Sequence, residues 1–221
     1  LDLRCDTGES FMPVCSTEDP RPVKKEAMKE VEAYIMAHLP DTAALYGRLF
    51  TDPAAALAIT GSAATFAEDF IYMACICASW DLDDHMLHCL TESDRYHFAV
   101  ARGMELYLRQ CNSVEWGDER MKLEDPIVDD IIAKAEEAIA GGDCCADLRF
   151  GHDYQLLATS ARLGIRGVAE RRTAKTCRDW RGYLYTPFAC NLQMIFYRNR
   201  TGEVLVKFLL NEREATTMLL E

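Results

Sequence analysis

No stretch of this 221-residue sequence is apolar for the ~20 residues a bilayer-crossing helix needs. The longest run, FIYMACICASW (70–80), reaches roughly half of that, so no membrane span is expected. Positive charge is also scarce: 24 Lys and Arg face 36 Asp and Glu, a formal net charge of −12. An acidic surface repels phosphate backbones, which argues against nucleic acid as a general partner. The ten cysteines contain no CxxC pair, only the neighbours Cys144–Cys145 and the i, i+2 pair Cys75 and Cys77, so zinc spacing is absent. A GxSxG elbow is missing, and TGSAAT (60–65) has one glycine and no lysine, which excludes a Walker-type phosphate loop. The first residues, LDLRCDTGES, carry acid where a secretion signal carries base. They open on a strand-like LDLRC, as the middle of a fold would.

What is present is ordered along the chain. Residues 1–22 are short, Pro-containing and irregular. From 23 to 140 the signals are helical. KKEAMKEVEAYIMAHL spaces Met28, Val31, Ile35 and Leu39 for one helix face, and Pro40 stops it. Asp41 is a cap for TAALYGRLF, and Asp52 before Pro53 starts AAALAI. Ser62 or Thr65 opens an apolar helix through Trp80, and Ser93 opens DRYHFAVARGMELYLRQ. Pro126 begins IVDDIIAKAEEAIA, which Gly141-Gly142 ends. After Gly142, ADLRFG is strand-like and DYQLLATSARLGI helical. FACNLQMIFYR and EVLVKFLL are β-patterned runs joined by NRTGE, a hairpin with Gly202 in the turn. Three strands are too few for a well-covered sheet, so the chain is expected to be incomplete.

Three places carry candidate chemistry. In DLDDHMLHCLTE (81–92), Asp81, Asp83, His85 and Glu92 fall at calcium-loop positions 1, 3, 5 and 12, but position six is Met86, not the glycine the turn requires. His85, His88 and Cys89 share a helical face, a coincidence common on polar helices, and no metal is expected. Between Arg162 and Arg181, seven basic residues (Arg162, Arg166, Arg171, Arg172, Lys175, Arg178, Arg181) stand against Glu170 and Asp179. That island is either a solvated loop of arginine–carboxylate pairs or a receiver for a small anion. The third place is FGHDY, where His152 and Asp153 fall at the end of a strand and the first turn of a helix. Ligands of open α/β sheets bind there, and helix N-terminal amides favour anions. A histidine there can hold a phosphate oxygen and a carboxylic acid can protonate a leaving alcohol. On spacing alone the plainer reading is the stronger: Asp153 as an N-cap and His152 as a strand-end residue satisfied by backbone.

The wording around this site is more specific. LRFGHDYQLL resembles the second catalytic motif of the histidine acid phosphatases, the branch of phytases and multiple inositol polyphosphate phosphatases. In the same order, TPFACNLQMIFYR and EVLVKFLLNERE resemble the family's terminal pair of strands. The resemblance covers residues 140–215 by motif and the helical segment by position. It implies an α/β, histidine-phosphatase-like fold: a lead-in (1–22), a mostly helical α-domain (23–140), and the C-terminal part of an α/β core with a terminal β-hairpin (141–221).

The activity the resemblance implies is phosphomonoester hydrolysis through a phosphohistidine, with no cofactor and no metal. His152 would contact the phosphate and Asp153 would donate the proton. The substrate would be a small phosphorylated compound, such as an inositol polyphosphate, which the basic island would help receive. The family's habit also implies export, to a periplasm, the outside or a secretory lumen. The departure is the nucleophile: of His38, His85, His88, His97 and His152, none lies in Arg-His-Gly. A missing N-terminal part of the same protein is expected to carry it. A non-catalytic anion-binding or interaction module that retains His-Asp is the alternative.

Overall fold

The computed structural model describes residues 21–38, 42–62, 65–66, 69–70, 72–73, 76–77, 88, 90–143 and 145–220. Expectations for 1–20, Leu39, Pro40, Asp41, Cys75, the end of the apolar helix at Trp80, Asp81 to His85, Cys89 and Cys144 lie outside the described residues.

The helices follow their local signals. Helix α1 (Arg21–His38) buries Val31 and Ile35, as the spacing predicts, together with Ala27 and Tyr34. Helix α2 (Thr42–Leu49) buries Leu45 and Tyr46. Helix α3 (Pro53–Thr60) starts at Asp52, whose side chain accepts a hydrogen bond from the Ala55 amide at 3.0 Å. Residues described between 65 and 77 are helical.

Helix α4 (Glu92–Gln110) is capped two residues earlier than expected. Thr91, not Ser93, is the cap: the Asp94 amide donates to Thr91 Oγ1 (3.1 Å), and the Thr91 amide donates to Asp94 Oδ2 (3.0 Å). This reciprocal box satisfies two orphan donors, which a Ser93 cap would not. Helices α5 (Gly117–Lys122) and α6 (Asp125–Ile139) follow, α6 carrying Pro126 in its first turn. Helix α7 (Asp153–Arg162) carries the candidate site.

ADLRFG is not a strand among the described residues. Residues 146–150 run without secondary structure, and Leu148 and Phe150 are 60% and 74% exposed. A β-patterned segment becomes a strand only when a neighbour supplies the ladder, and no described segment does so.

The three strands are β1 (Leu192–Arg198), β2 (Val204–Leu210) and β3 (Arg213–Ala215), antiparallel in the order β1-β2-β3. The expected hairpin joins β1 to β2: Gly202 has φ +88°, and Asn199 Oδ1 accepts from the amides of Thr201 and Glu203. The β2–β3 turn is Asn211-Glu212, both left-handed at φ +50° and +61°. Positive φ at both central residues is the turn geometry that matches sheet twist.

The chain forms two compact units. In Arg21–Tyr107 with Ala174–Gly182, the core gathers Ile35, Leu45, Tyr46, Phe66, Phe70, Phe98 and Met104, and the Trp180 ring packs edge-on to Tyr107. In Leu108–Thr173 with Tyr183–Glu221, Val128, Leu163 and Ile165 pack against Leu192, Met194, Phe208, Leu210 and Ala215. The register explains that face: Leu192 pairs with Leu210, Met194 with Phe208, and Phe208 with Ala215. No described helix is long and apolar enough to cross a membrane.

Gly167, just after this core, has φ +88°, and a Cβ there would lie 2.5–2.8 Å from the phenol ring of Tyr185. Strain and clash act together, so Gly167→Ala should destabilise folding by about 2–3 kcal/mol. Urea unfolding measures this as a lowered midpoint; an unchanged midpoint would contradict the packing.

Candidate functional site

Helix α7 is amphipathic in a particular way. Leu157, Ala158 and Ala161 are buried, while its first residues face solvent. His152 occupies the N-cap position with extended backbone (φ −86°, ψ 159°), its side chain making no cap hydrogen bond. Its ring instead stacks on Tyr154, centroids 4.9 Å apart and planes at 16°. Its carbonyl accepts from the amides of Gln155 and Leu156, closing the first turn. Asp153 is the first helical residue, and its Oδ1 accepts from the Tyr154 amide at 2.9 Å. Both side chains are exposed. An imidazole and a carboxyl group thus stand together on the open end of a helix whose other side is anchored in the core.

The structure also brings the second sequence motif to the first. Burial and, after it, the negative charge of nearby Asp153 push the Cys190 thiol above its ordinary pKa. Cys190 belongs to TPFACN, so the Pro-Phe-Ala turn lies within electrostatic reach of Asp153. Ala189 in that turn takes φ +57°, a left-handed conformation unusual for a residue with a Cβ. The turn is held from the sheet: the Asn191 amide donates to Asn211 Oδ1 (3.1 Å), and Asn211 Nδ2 donates to the Tyr185 carbonyl (2.9 Å). Asn191 Nδ2 donates to Glu212 Oε1 at 2.6 Å. The left-handed Asn211-Glu212 turn therefore serves both the sheet and the loop beside Asp153.

Behind α7 lies a network that the sequence reading missed. Glu124, fully buried, accepts from Gln155 Nε2 (2.5 Å) and Thr159 Oγ1 (3.1 Å), and forms an ion pair with Arg120 at 2.7 Å. Burial pushes its carboxyl up from the ordinary value, against the opposing pull of Arg120 and the two α7 donors. The network ties the turn between α5 and α6 to α7 and fixes how His152 and Asp153 are presented. A sequence signal exists: Gln155 and Thr159 are polar and four residues apart, on a helix flank that also carries Leu156 and Ala158.

The basic island divides between the two units. In one, Arg162 pairs with Asp125 (2.6 Å) and Arg171 with Asp118 (2.7 Å). In the other, Arg178 and Arg181 rest on tyrosine rings. Among the described residues no three His, Cys, Asp or Glu side chains gather as a metal site. His88 is described, whereas His85 and Cys89 are not.

No protein-family model matches the sequence, and no curated protein matches it. Among solved structures, the chain is similar to a multiple inositol polyphosphate phosphatase from Bifidobacterium longum, in complex with inositol hexasulfate. The TM-score is 0.61 at 20% identity, covering 95% of this chain and 52% of that one, so this chain spans about half the length of that relative. The helix-rich α/β architecture with its small antiparallel sheet is therefore similar in fold to part of that structure, at a distant level.

Proposed function

We propose that this chain is the α-domain and the C-terminal part of the core of a phosphomonoester hydrolase of the histidine acid phosphatase type, with inositol polyphosphates as candidate substrates. The observation that carries the reading is that both motifs fall in one compact unit: His152 and Asp153 at the N-terminus of α7, with Cys190 of TPFACN close enough to feel the Asp153 charge. The fold likeness to an inositol polyphosphate phosphatase supports it. In this reading, residues 23–140 serve as the α-domain and 141–221 as core.

The chemistry divides into two steps. An upstream histidine nitrogen attacks phosphorus, an N–P bond forms, and the P–O bond to the leaving alcohol breaks. Asp153 gives its proton to that oxygen while His152 holds a phosphoryl oxygen. Water then attacks phosphorus, its proton passes to the Asp153 carboxylate, the N–P bond breaks, and phosphate leaves. No metal or cofactor enters either step.

Two features support a further part of the same protein as the supplier of the nucleophile. Residues 146–150 carry no secondary structure, and Leu148 and Phe150 within them are exposed. The second face of the sheet is mixed: Ile195, Tyr197, Leu205 and Leu209 stand there with Gln193, Lys207 and Glu214, more apolar surface than a fully wet face needs. An exported location belongs to the same reading.

The experiment is an assay of phosphomonoester hydrolysis by the full-length protein and by these 221 residues alone. The full-length protein should turn over inositol hexakisphosphate or p-nitrophenyl phosphate, and the 221-residue piece should be nearly inert. Robust turnover by the piece, abolished in His152→Ala, would overturn the assignment of the nucleophile to another segment. Phosphate binding without turnover in the full-length protein would favour the non-catalytic anion-binding module.

A further inference from the structure

In a chain with 36 acidic and 24 basic residues, several arginines find a carboxylate. Arg48 does so with Asp94, Arg120 with Glu124, Arg149 with Asp130 and Asp147, Arg162 with Asp125, and Arg171 with Asp118. Arg178 and Arg181 do not, among the described residues. The Arg178 guanidinium lies 5.0 Å over the Tyr34 ring, and that of Arg181 lies 5.7 Å from the Tyr96 centroid. Arg181 donates to main-chain carbonyls, of Arg178 at 2.8 Å and Trp180 at 3.5 Å. Arg178 Nε is buried without a hydrogen-bond partner among the described residues. A guanidinium that gives its face to a ring keeps its in-plane N–H edge for another acceptor.

Two imidazoles complete the group. His97 Nδ1 is 2.7 Å from the Tyr34 hydroxyl, and the His97 and His38 rings are 4.8 Å apart. His38 stacks on Tyr34 with centroids 4.1 Å apart. Its Nδ1 lies 2.7 Å from the Tyr34 carbonyl, which can only accept, so Nδ1 carries the proton and Nε2 remains for another partner. Tyr34 is buried, while His38 and Tyr96 reach solvent. All six side chains belong to one compact unit, from α1, from α4 and from the segment 174–182.

We infer that His38, His97, Arg178 and Arg181, arranged around Tyr34 and Tyr96, form an oxyanion site for a phosphate-type group, separate from the His152–Asp153 pair. Two guanidiniums supply permanent charge and fork-shaped donors, and the phenols supply further donors. The His97 imidazole makes the site pH-dependent. His97 faces His38 and Tyr34 from α1 and Asp94 and Tyr96 on its own helix, while the two arginines from 174–182 reach the group through the Tyr34 and Tyr96 rings. Burial, and then the neighbouring His38, hold the His97 pKa below its ordinary value, with Asp94 opposing. Asp94 is itself engaged by Arg48 at 2.6 Å. An arriving dianion reverses the balance, so binding and protonation of His97 reinforce each other.

The test uses the full chain, labelled at the histidine ring carbons, titrated from about pH 8 to about pH 5 with and without inorganic pyrophosphate. The His97 signal is assigned by its loss in His97→Gln. Pyrophosphate should raise the His97 midpoint, and its affinity should increase as the pH falls. Arg178→Gln with Arg181→Gln should abolish the shift, each arginine lost weakening binding about tenfold. Arg178→Lys, which keeps the charge but loses the fork, serves as the milder variant and should weaken binding less. His152→Ala should leave the His97 response intact. A His97 midpoint indifferent to pyrophosphate, or a response that survives in the double variant and disappears in His152→Ala, would overturn the site. Because the readout is His97 and not turnover, the site can stand if the phosphatase reading fails, and fail if that reading stands.

Discussion

Asp153→Asn in the full-length protein should lower kcat by about 10²- to 10⁴-fold while leaving substrate binding nearly unchanged. Asparagine keeps the shape of aspartate and can still accept the Tyr154 amide bond seen at 2.9 Å, so α7 should begin as before. What it loses is the proton. The size of the loss should therefore depend on the leaving group. An alkyl alcohol such as an inositol hydroxyl needs the proton as the P–O bond breaks, whereas p-nitrophenolate leaves with little help. The variant should be severely slowed on an inositol phosphate and mildly slowed on p-nitrophenyl phosphate. Steady-state kinetics on both substrates reads this directly. Equal losses on both, or a rise in KM without a fall in kcat, would make Asp153 a first-turn or binding residue and nothing more.

The second large effect concerns what holds α7 in place. Arg120→Ala should destabilise the protein by about 3–5 kcal/mol near neutral pH, because it leaves the buried Glu124 carboxylate without its cation. The side chains are 12% and 1% exposed, so water cannot replace the lost partner. The cost should shrink in acid. Burial already raises the folded pKa of Glu124 from its ordinary 4.5, and removal of Arg120 raises it further. A carboxyl whose folded pKa lies above the unfolded one binds more protons folded. Its contribution is complete below the unfolded value and is lost as the pH climbs through the folded one. The variant should recover stability as the pH falls toward 4.5, whereas Arg120→Ala combined with Glu124→Gln should lack that dependence. Urea unfolding at several pH values tests both arms. A destabilisation independent of pH would mean that Arg120 acts through packing alone.

Local signals were legible wherever one residue's chemistry decides the outcome. Asp52 before Pro53 caps α3, Gly202 turns the hairpin, and Val31 and Ile35 are buried on α1. The errors arose where the decision belongs to a partner. Ser93 looked like a cap, but Thr91 has an aspartate three residues on to return the hydrogen bond. ADLRFG has strand propensity without a described neighbour to pair with. β3 is three residues long and depends on the Asn211-Glu212 turn, which lacks the glycine that would announce it.

For the site, the His-Asp pair and the Pro-Phe-Ala turn were each legible, but their proximity was not. Glu124 was invisible as the carboxylate under α7, because its partners Gln155 and Thr159 are 31 and 35 residues away. The Tyr34–His97 contact spans 63 residues and shows no pattern in either helix alone. The basic island was legible as composition only. Ion pairs occupy Arg162 and Arg171, while Arg178 and Arg181 lie on tyrosines in the other unit.

The most direct test of the central claim is to read the coding sequence upstream of Leu1. A phosphatase whose proton donor is Asp153 needs a nucleophile that the five histidines of this chain do not provide in the required Arg-His-Gly setting. Arg-His-Gly-x-Arg should follow a strand pattern in that upstream sequence. An upstream sequence without it, or a true start at Leu1, would contradict the enzyme reading and leave a relative that binds anions without hydrolysing them.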